Sequence, residues 1–183
     1  MYFCIFSILY GTAVLYFWSM KNKQIQPGNQ FSLPSLFLRI ALSIPYLWFV
    51  ADRLGLLGAH GQPHVGWGDW GHFMEYARQT MSFLPGSVIP FFAVAATIGE
   101  LTFGLLLLTG FLTRYAAIGS GILSLLFALS MAISFGVESP LGYSVFTVSA
   151  ASFLLAALPE YKWSIDQLLG KIRADLGSLR TEE

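Results

Sequence analysis

Long apolar windows alternate with short polar connectors along the 183 residues of this chain. Residues 2–20 carry no charge and stop at Lys21 and Lys23. A cleaved signal would put cations before such a run and small residues after it, so 1–23 reads as a retained N-terminal transmembrane segment. A second apolar run covers 31–57, with Pro45 at its centre as a kink. Three more lie at 88–108, 114–135 and 140–158, separated by the turns Gly110–Thr113 and Gly136–Ser139. Ser139 and Pro140 fit the cap and the first turn of the last of these. Each is about as long as a bilayer-crossing helix requires.

Two stretches are amphipathic instead. The connector 58–87 opens glycine-rich. Trp70, Phe73, Met74, Ala77, Met81 and Leu84 then recur at helical spacing, with Asp69 placed to cap the start and Pro85-Gly86 to end the helix. This helix is expected to lie in the interface or cap the other helices. The tail 159–183 repeats the pattern: Ile165, Leu168, Leu169, Ile172, Leu176 and Leu179 form one stripe behind a Ser164/Gln167 capping box. It is expected to lie on the inner leaflet or pack on a partner. The fold expected is all-α: a polytopic membrane four-helix bundle over 31–158, an additional N-terminal transmembrane helix, an outer interfacial helix and a cytoplasmic amphipathic tail.

Composition agrees. Apolar residues make up 55% of the chain and charged ones 11%, where a soluble domain carries about 25%. Formal net charge is zero and no basic patch interleaves with aromatics, so nucleic acid is not an implied partner; the lipid bilayer is. With the N-terminus outside, the inner side holds Lys21, Lys23, Arg114, Lys162, Lys171, Arg173 and Arg180, while the long outer connector holds Arg78 as its basic residue. That satisfies the positive-inside rule, so an inner (plasma) membrane location with a cytoplasmic C-terminus is expected. The one cysteine, Cys4, excludes an intramolecular dithiol–disulfide cycle. There is no G-x-G-x-x-G, P-loop or G-x-S-x-G, and the transmembrane segments hold no histidine for haem.

Chemistry concentrates in a few ionisable groups. Glu100 sits near the middle of an apolar run, where a lone charge costs on the order of 3 kcal/mol and needs a partner. Measured at about 1.5 Å per residue from Pro34 and Leu108, Arg39 lies about 8 Å and Glu100 about 12 Å from the inner edge, with Asp52 and Arg53 about 27 Å from it. A Glu100–Arg39 contact is therefore expected. The two lie either in a polar pocket with Asp52 and Arg53, lined for a quinone headgroup or small solute, or in an internal staple that sets helix register. Asp52 and Arg53 either shape an outer mouth with Trp67, Asp69 and Trp70 or tie the outer loop down. Arg114 marks the inner turn. His60, His64 and His72 share the outer connector and are weak metal candidates, because their spacing matches no established site.

Several of these residues stand together in a longer pattern. Arg39-Ile-Ala-Leu-Ser43, Ala51-Asp52-Arg53, Trp67-Gly-Asp-Trp70, the Glu100 helix, Gly110-Phe-Leu-Thr-Arg114 and Pro140-Leu-Gly-Tyr-Ser-Val-Phe146 resemble the DoxX/DoxD family of integral membrane proteins across about residues 31–158. The branch resembled includes chains named after a subunit of thiosulfate:quinone oxidoreductase. Arg53 stands where that family often has lysine, and Gly142 where an acidic residue is expected. The resemblance implies a four-helix membrane bundle, and a few members of the family are linked to quinone reduction coupled to sulfur compounds or to thiol and oxidative-stress handling with partner proteins. With one cysteine and no metal or flavin motif in this chain, electron transfer would need a partner redox subunit or a bound quinone. No catalytic residue is implied. The alternative is a non-catalytic scaffold or assembly protein, with oligomerisation open.

Overall fold

The computed structural model describes residues 31–180, and its helices all belong to the compact unit that begins at Ser32. The expected N-terminal transmembrane segment lies outside the described residues. Among the described residues there are seven helices and no strands: α1 Ser32–Arg53, α2 Trp70–Thr80, α3 Ile89–Thr109, α4 Thr113–Phe135, α5 Glu138–Gly142, α6 Val145–Ala157 and α7 Ile165–Arg180. Three of them, α1, α3 and α4, are long and apolar enough to span a membrane. This is a membrane protein whose helices face lipid: Phe37, Phe91, Ile98, Leu126 and Ile133 are among the many large apolar side chains left exposed.

The core is narrow and rich in small residues. α1 packs on α3, α3 on α4, α4 on α6 and α6 back on α1. Leu42, Leu107, Ala116, Ala117, Leu155 and Ala156 form its apolar centre. Close approach needs glycine. A methyl on Gly104 would lie 2.9 Å from Leu47 Cδ2, and one on Gly121 2.9 Å from the Phe153 ring. Without a hydrophobic drive inside lipid, such tight contacts and interhelical hydrogen bonds hold the helices together.

Helix ends depart from the expected bounds for identifiable reasons. The run expected to 57 ends at Arg53, because Gly55 takes φ +77° and Leu56 N and Gly55 N return to Ala51 O and Asp52 O, both at 2.9 Å. That is a Schellman stop. α2 ends at Thr80, short of Pro85, where Ser134 of α4 donates to Thr80 O at 2.8 Å. The helix expected over 140–158 is broken. α5 begins at Glu138, so Ser139 is not its cap, and Ser144 at φ +56° interrupts the backbone before α6. α6 has 13 residues, about 20 Å by helical rise, and does not reach across a hydrocarbon core of about 30 Å alone.

The two amphipathic helices fare differently. α2 caps the other helices: Phe73, Met74 and Ala77 are buried against Ile89 and Ala93. Asp69 caps it as expected, accepting His72 N at 2.9 Å. Ser164 Oγ accepts Gln167 N at 3.1 Å at the start of α7, while Gln167 Oε1 takes Trp163 N at 3.0 Å instead of closing the box on Ser164 itself.

Candidate functional site

The register between α1 and α3 decides which charges meet. The helices run antiparallel, with Tyr46 beside Gly104. This sets Arg53 against Glu100, with Arg53 Nη2 2.8 Å from Glu100 Oε2 and the two side chains 3% and 5% exposed. The expected Glu100–Arg39 contact is not made. Glu100 is level with Val50, so Arg39 lies about 16 Å away along the helix axis. Equal depth would require both helices to meet the membrane edge together, whereas α1 begins about two turns beyond the end of α3.

Arg39 is instead spent on backbone. Its guanidinium donates to Leu107 O (3.0 Å), Leu108 O (3.3 Å), Lys162 O (3.3 Å) and Trp163 O (3.2 Å). The first two belong to the last turn of α3, whose unpaired carbonyls and negative dipole end favour a cation. Gly110, at φ +69°, leaves room for it: a methyl there would strike Arg39 and Ser164. Two more charges serve the same end of the molecule. Asp166 accepts Leu112 N and Thr113 N, both at 2.8 Å, capping α4, and Arg114 Nε donates to Ala156 O at 3.0 Å, capping α6. Tyr161 donates to Leu155 O at 3.1 Å, and burial pushes its phenol above the usual range.

Around Glu100 the surroundings are different. Arg53 also donates to Thr97 Oγ1 at 2.8 Å and Phe49 O at 3.2 Å. Its guanidinium carbon sits 4.0 Å from the Phe73 ring centre and 5.2 Å from that of Trp67. Glu100 Oε2 has the ion pair but no aligned hydrogen bond. Trp67 and Phe73, edge to face at 5.3 Å, roof the pair.

Asp52 holds the roof in place. Its carboxylate accepts Gly66 N (2.9 Å), Trp67 N (3.0 Å) and Gly68 N (3.1 Å) and is 2% exposed. Three converging N–H groups satisfy a buried carboxylate and fold the connector back over α1. A Cβ at Gly66 would lie 2.8 Å from Asp52 Oδ2, so only glycine lets the backbone approach. Asp52 thus ties the loop down, while Arg53 turns inward to Glu100. Trp70 packs on Phe73 at 5.1 Å.

The four residues expected in one pocket therefore divide. Arg53 and Glu100 form one centre, Asp52 secures its roof, and Arg39 works about 21 Å away from Arg53 along α1. His60 and His72 stack with ring centres 3.8 Å apart, His60 Nδ1 meeting Trp67 O at 3.1 Å and His72 Nδ1 meeting Asp69 Oδ2 at 2.7 Å. His64 stands apart in the loop at φ +68°. Among the described residues no three metal-binding side chains converge.

A feature not read from the sequence lies beside this centre. Tyr46 OH contacts Ser124 Oγ at 2.7 Å and Ser120 Oγ at 2.9 Å, and Ser120 Oγ continues to Ser152 Oγ at 3.0 Å. These hydroxyls join α1, α4 and α6. The signal in the sequence is the one-turn spacing of Ser120 and Ser124, which puts both hydroxyls on one face of α4.

With this geometry in place, comparison with known proteins adds no assignment: no family model, curated protein or solved structure matches the chain.

Proposed function

We propose that this chain is a DoxX/DoxD-like four-helix membrane protein of the inner (plasma) membrane, with its C-terminus cytoplasmic, and that it serves as an accessory subunit of quinone-linked redox chemistry. The observation that carries the reading is the roofed Arg53–Glu100 pair. Ionisable groups within membrane helices are costly, pair with one another and mark proton relays and substrate pathways. Arg53 can donate to a quinone carbonyl, and Glu100 can exchange protons with it. Trp67 and Phe73 provide flat apolar faces for the ring. Reduction of a quinone to a quinol takes two electrons and two protons. The protons pass through Glu100, and the electrons come from a partner redox subunit, since this chain carries one cysteine and no dinucleotide fingerprint.

Titrating a short-chain quinone into the purified protein, followed by tryptophan quenching, tests this. Saturable binding that weakens about tenfold or more in Glu100→Gln and Arg53→Lys supports it. Unchanged binding in both variants removes it.

A second reading has its own observation. Each nitrogen of the Arg53 guanidinium already has a protein partner, in Phe49 O, Thr97 and Glu100. A pair held this way suits a staple that fixes helix register in a non-catalytic scaffold. Absence of quinone binding together with a large stability loss in Glu100→Gln favours that reading.

A further inference from the structure

We propose that α7 is a membrane-surface helix that lies in the boundary between headgroups and acyl chains, with its apolar stripe toward the chains. The two amphipathic helices of this protein make the comparison. In α2 the stripe is covered, with Phe73 6% and Ala77 4% exposed. In α7 the same kind of stripe is open: Leu168, Leu169, Ile172 and Leu176 are 57, 47, 46 and 63% exposed.

Three observations assign lipid as the covering. First, α7 is pinned at the edge of the spanning helices. Asp166 in its first turn caps α4 through Leu112 N and Thr113 N, and Asp166 N returns to Gly110 O at 3.0 Å. The stripe therefore starts where the lipid-facing surface of α3 and α4 ends, beside exposed Leu108, Phe111, Leu112 and Tyr115. Second, the helix has interfacial composition. Trp163 precedes it, 57% exposed, and Lys171 and Arg173 fall on opposite borders of the stripe, where long cationic side chains reach headgroup phosphates. Its other face, Gln167, Gly170 and Ala174, lines an open depression of about 490 Å³ with Pro159, Tyr161 and Lys162. Third, the stripe is too small for a lasting protein interface. A strip about 24 Å long and about 10 Å wide offers a few hundred Å², against about 800 Å² per partner in a stable complex.

The test uses the full chain with Cys4→Ser, reconstituted into phosphatidylcholine/phosphatidylglycerol vesicles and spin-labelled at either Leu169→Cys or Ala174→Cys. At 169 the label should be several-fold more accessible to oxygen than to a water-soluble nickel chelate; at 174 the preference should reverse. Adding Ile172→Glu should turn the 169 label water-accessible while helicity by circular dichroism is kept. Equal exposure of both labels to water overturns the proposal, as does dipolar broadening between 169 labels on two copies, which would show a second chain covering the stripe. This outcome is independent of quinone binding.

Discussion

At the residue scale, the buried charges among the described residues are Arg39, Asp52, Arg53 and Glu100, and all are answered, but by different kinds of partner. Arg39 and Asp52 meet backbone groups; Arg53 and Glu100 meet each other. An ion pair out of water gains little net stability, yet removing one member leaves an uncompensated charge and costs about 3–5 kcal/mol. Glu100→Ala is accordingly expected to destabilise by that order in denaturant unfolding from micelles. Glu100→Gln combined with Arg53→Met should lose clearly less than the two single changes together. Glycine positions give a sharper contrast. Gly110→Ala puts a methyl into Arg39 at φ +69° and should cost at least about 1 kcal/mol. Gly142, where a Cβ meets open space, should accept alanine within about 0.5 kcal/mol.

At the scale of elements, caps explain where helices stop and which loops are held. Local caps were legible: Asp69 before α2 and Ser164 before α7 act from inside their own segments. Asp69 is held below the usual carboxylate range, first by the His72 backbone N–H and then by the His72 side chain. A depressed folded value means that its contribution is present above the unfolded carboxylate range, near about 4, and is lost as pH falls through the folded value. Tryptophan fluorescence from Trp67 and Trp70 should report loosening of α2 only below about pH 4, and Asp69→Ala should abolish that step. The roof over Arg53 depends on one carboxylate. Asp52→Asn replaces an acceptor of three N–H groups by a weaker, partly donating amide, so limited proteolysis within 58–66 should accelerate while the apolar helices stay protected.

For the whole molecule, charge asymmetry is what the proposed orientation rests on. If the C-terminus is cytoplasmic, a thiol-reactive, membrane-impermeant label should reach Gln62→Cys in intact cells and Lys171→Cys only after permeabilisation, both on a Cys4→Ser background. The reverse labelling would invert the proposed orientation.

The sequence by itself determined the class of molecule and most of its elements. Apolar windows of bilayer length, glycine and proline punctuation and local caps are properties of neighbouring residues, so α1, α3 and α4 could be placed to within a few positions. It also singled out Glu100 as a group that needs an arginine. Tertiary structure alone decided which arginine. That choice depends on the axial offset between α1 and α3, and the offset is set by how Gly104 nests against Tyr46 and Leu47. Only packing could reveal that Asp166 caps a helix that starts 53 residues earlier, or that Tyr46 meets two serines of α4, one of which continues to Ser152 of α6. A period along one helix says which face is polar, but not what stands opposite it.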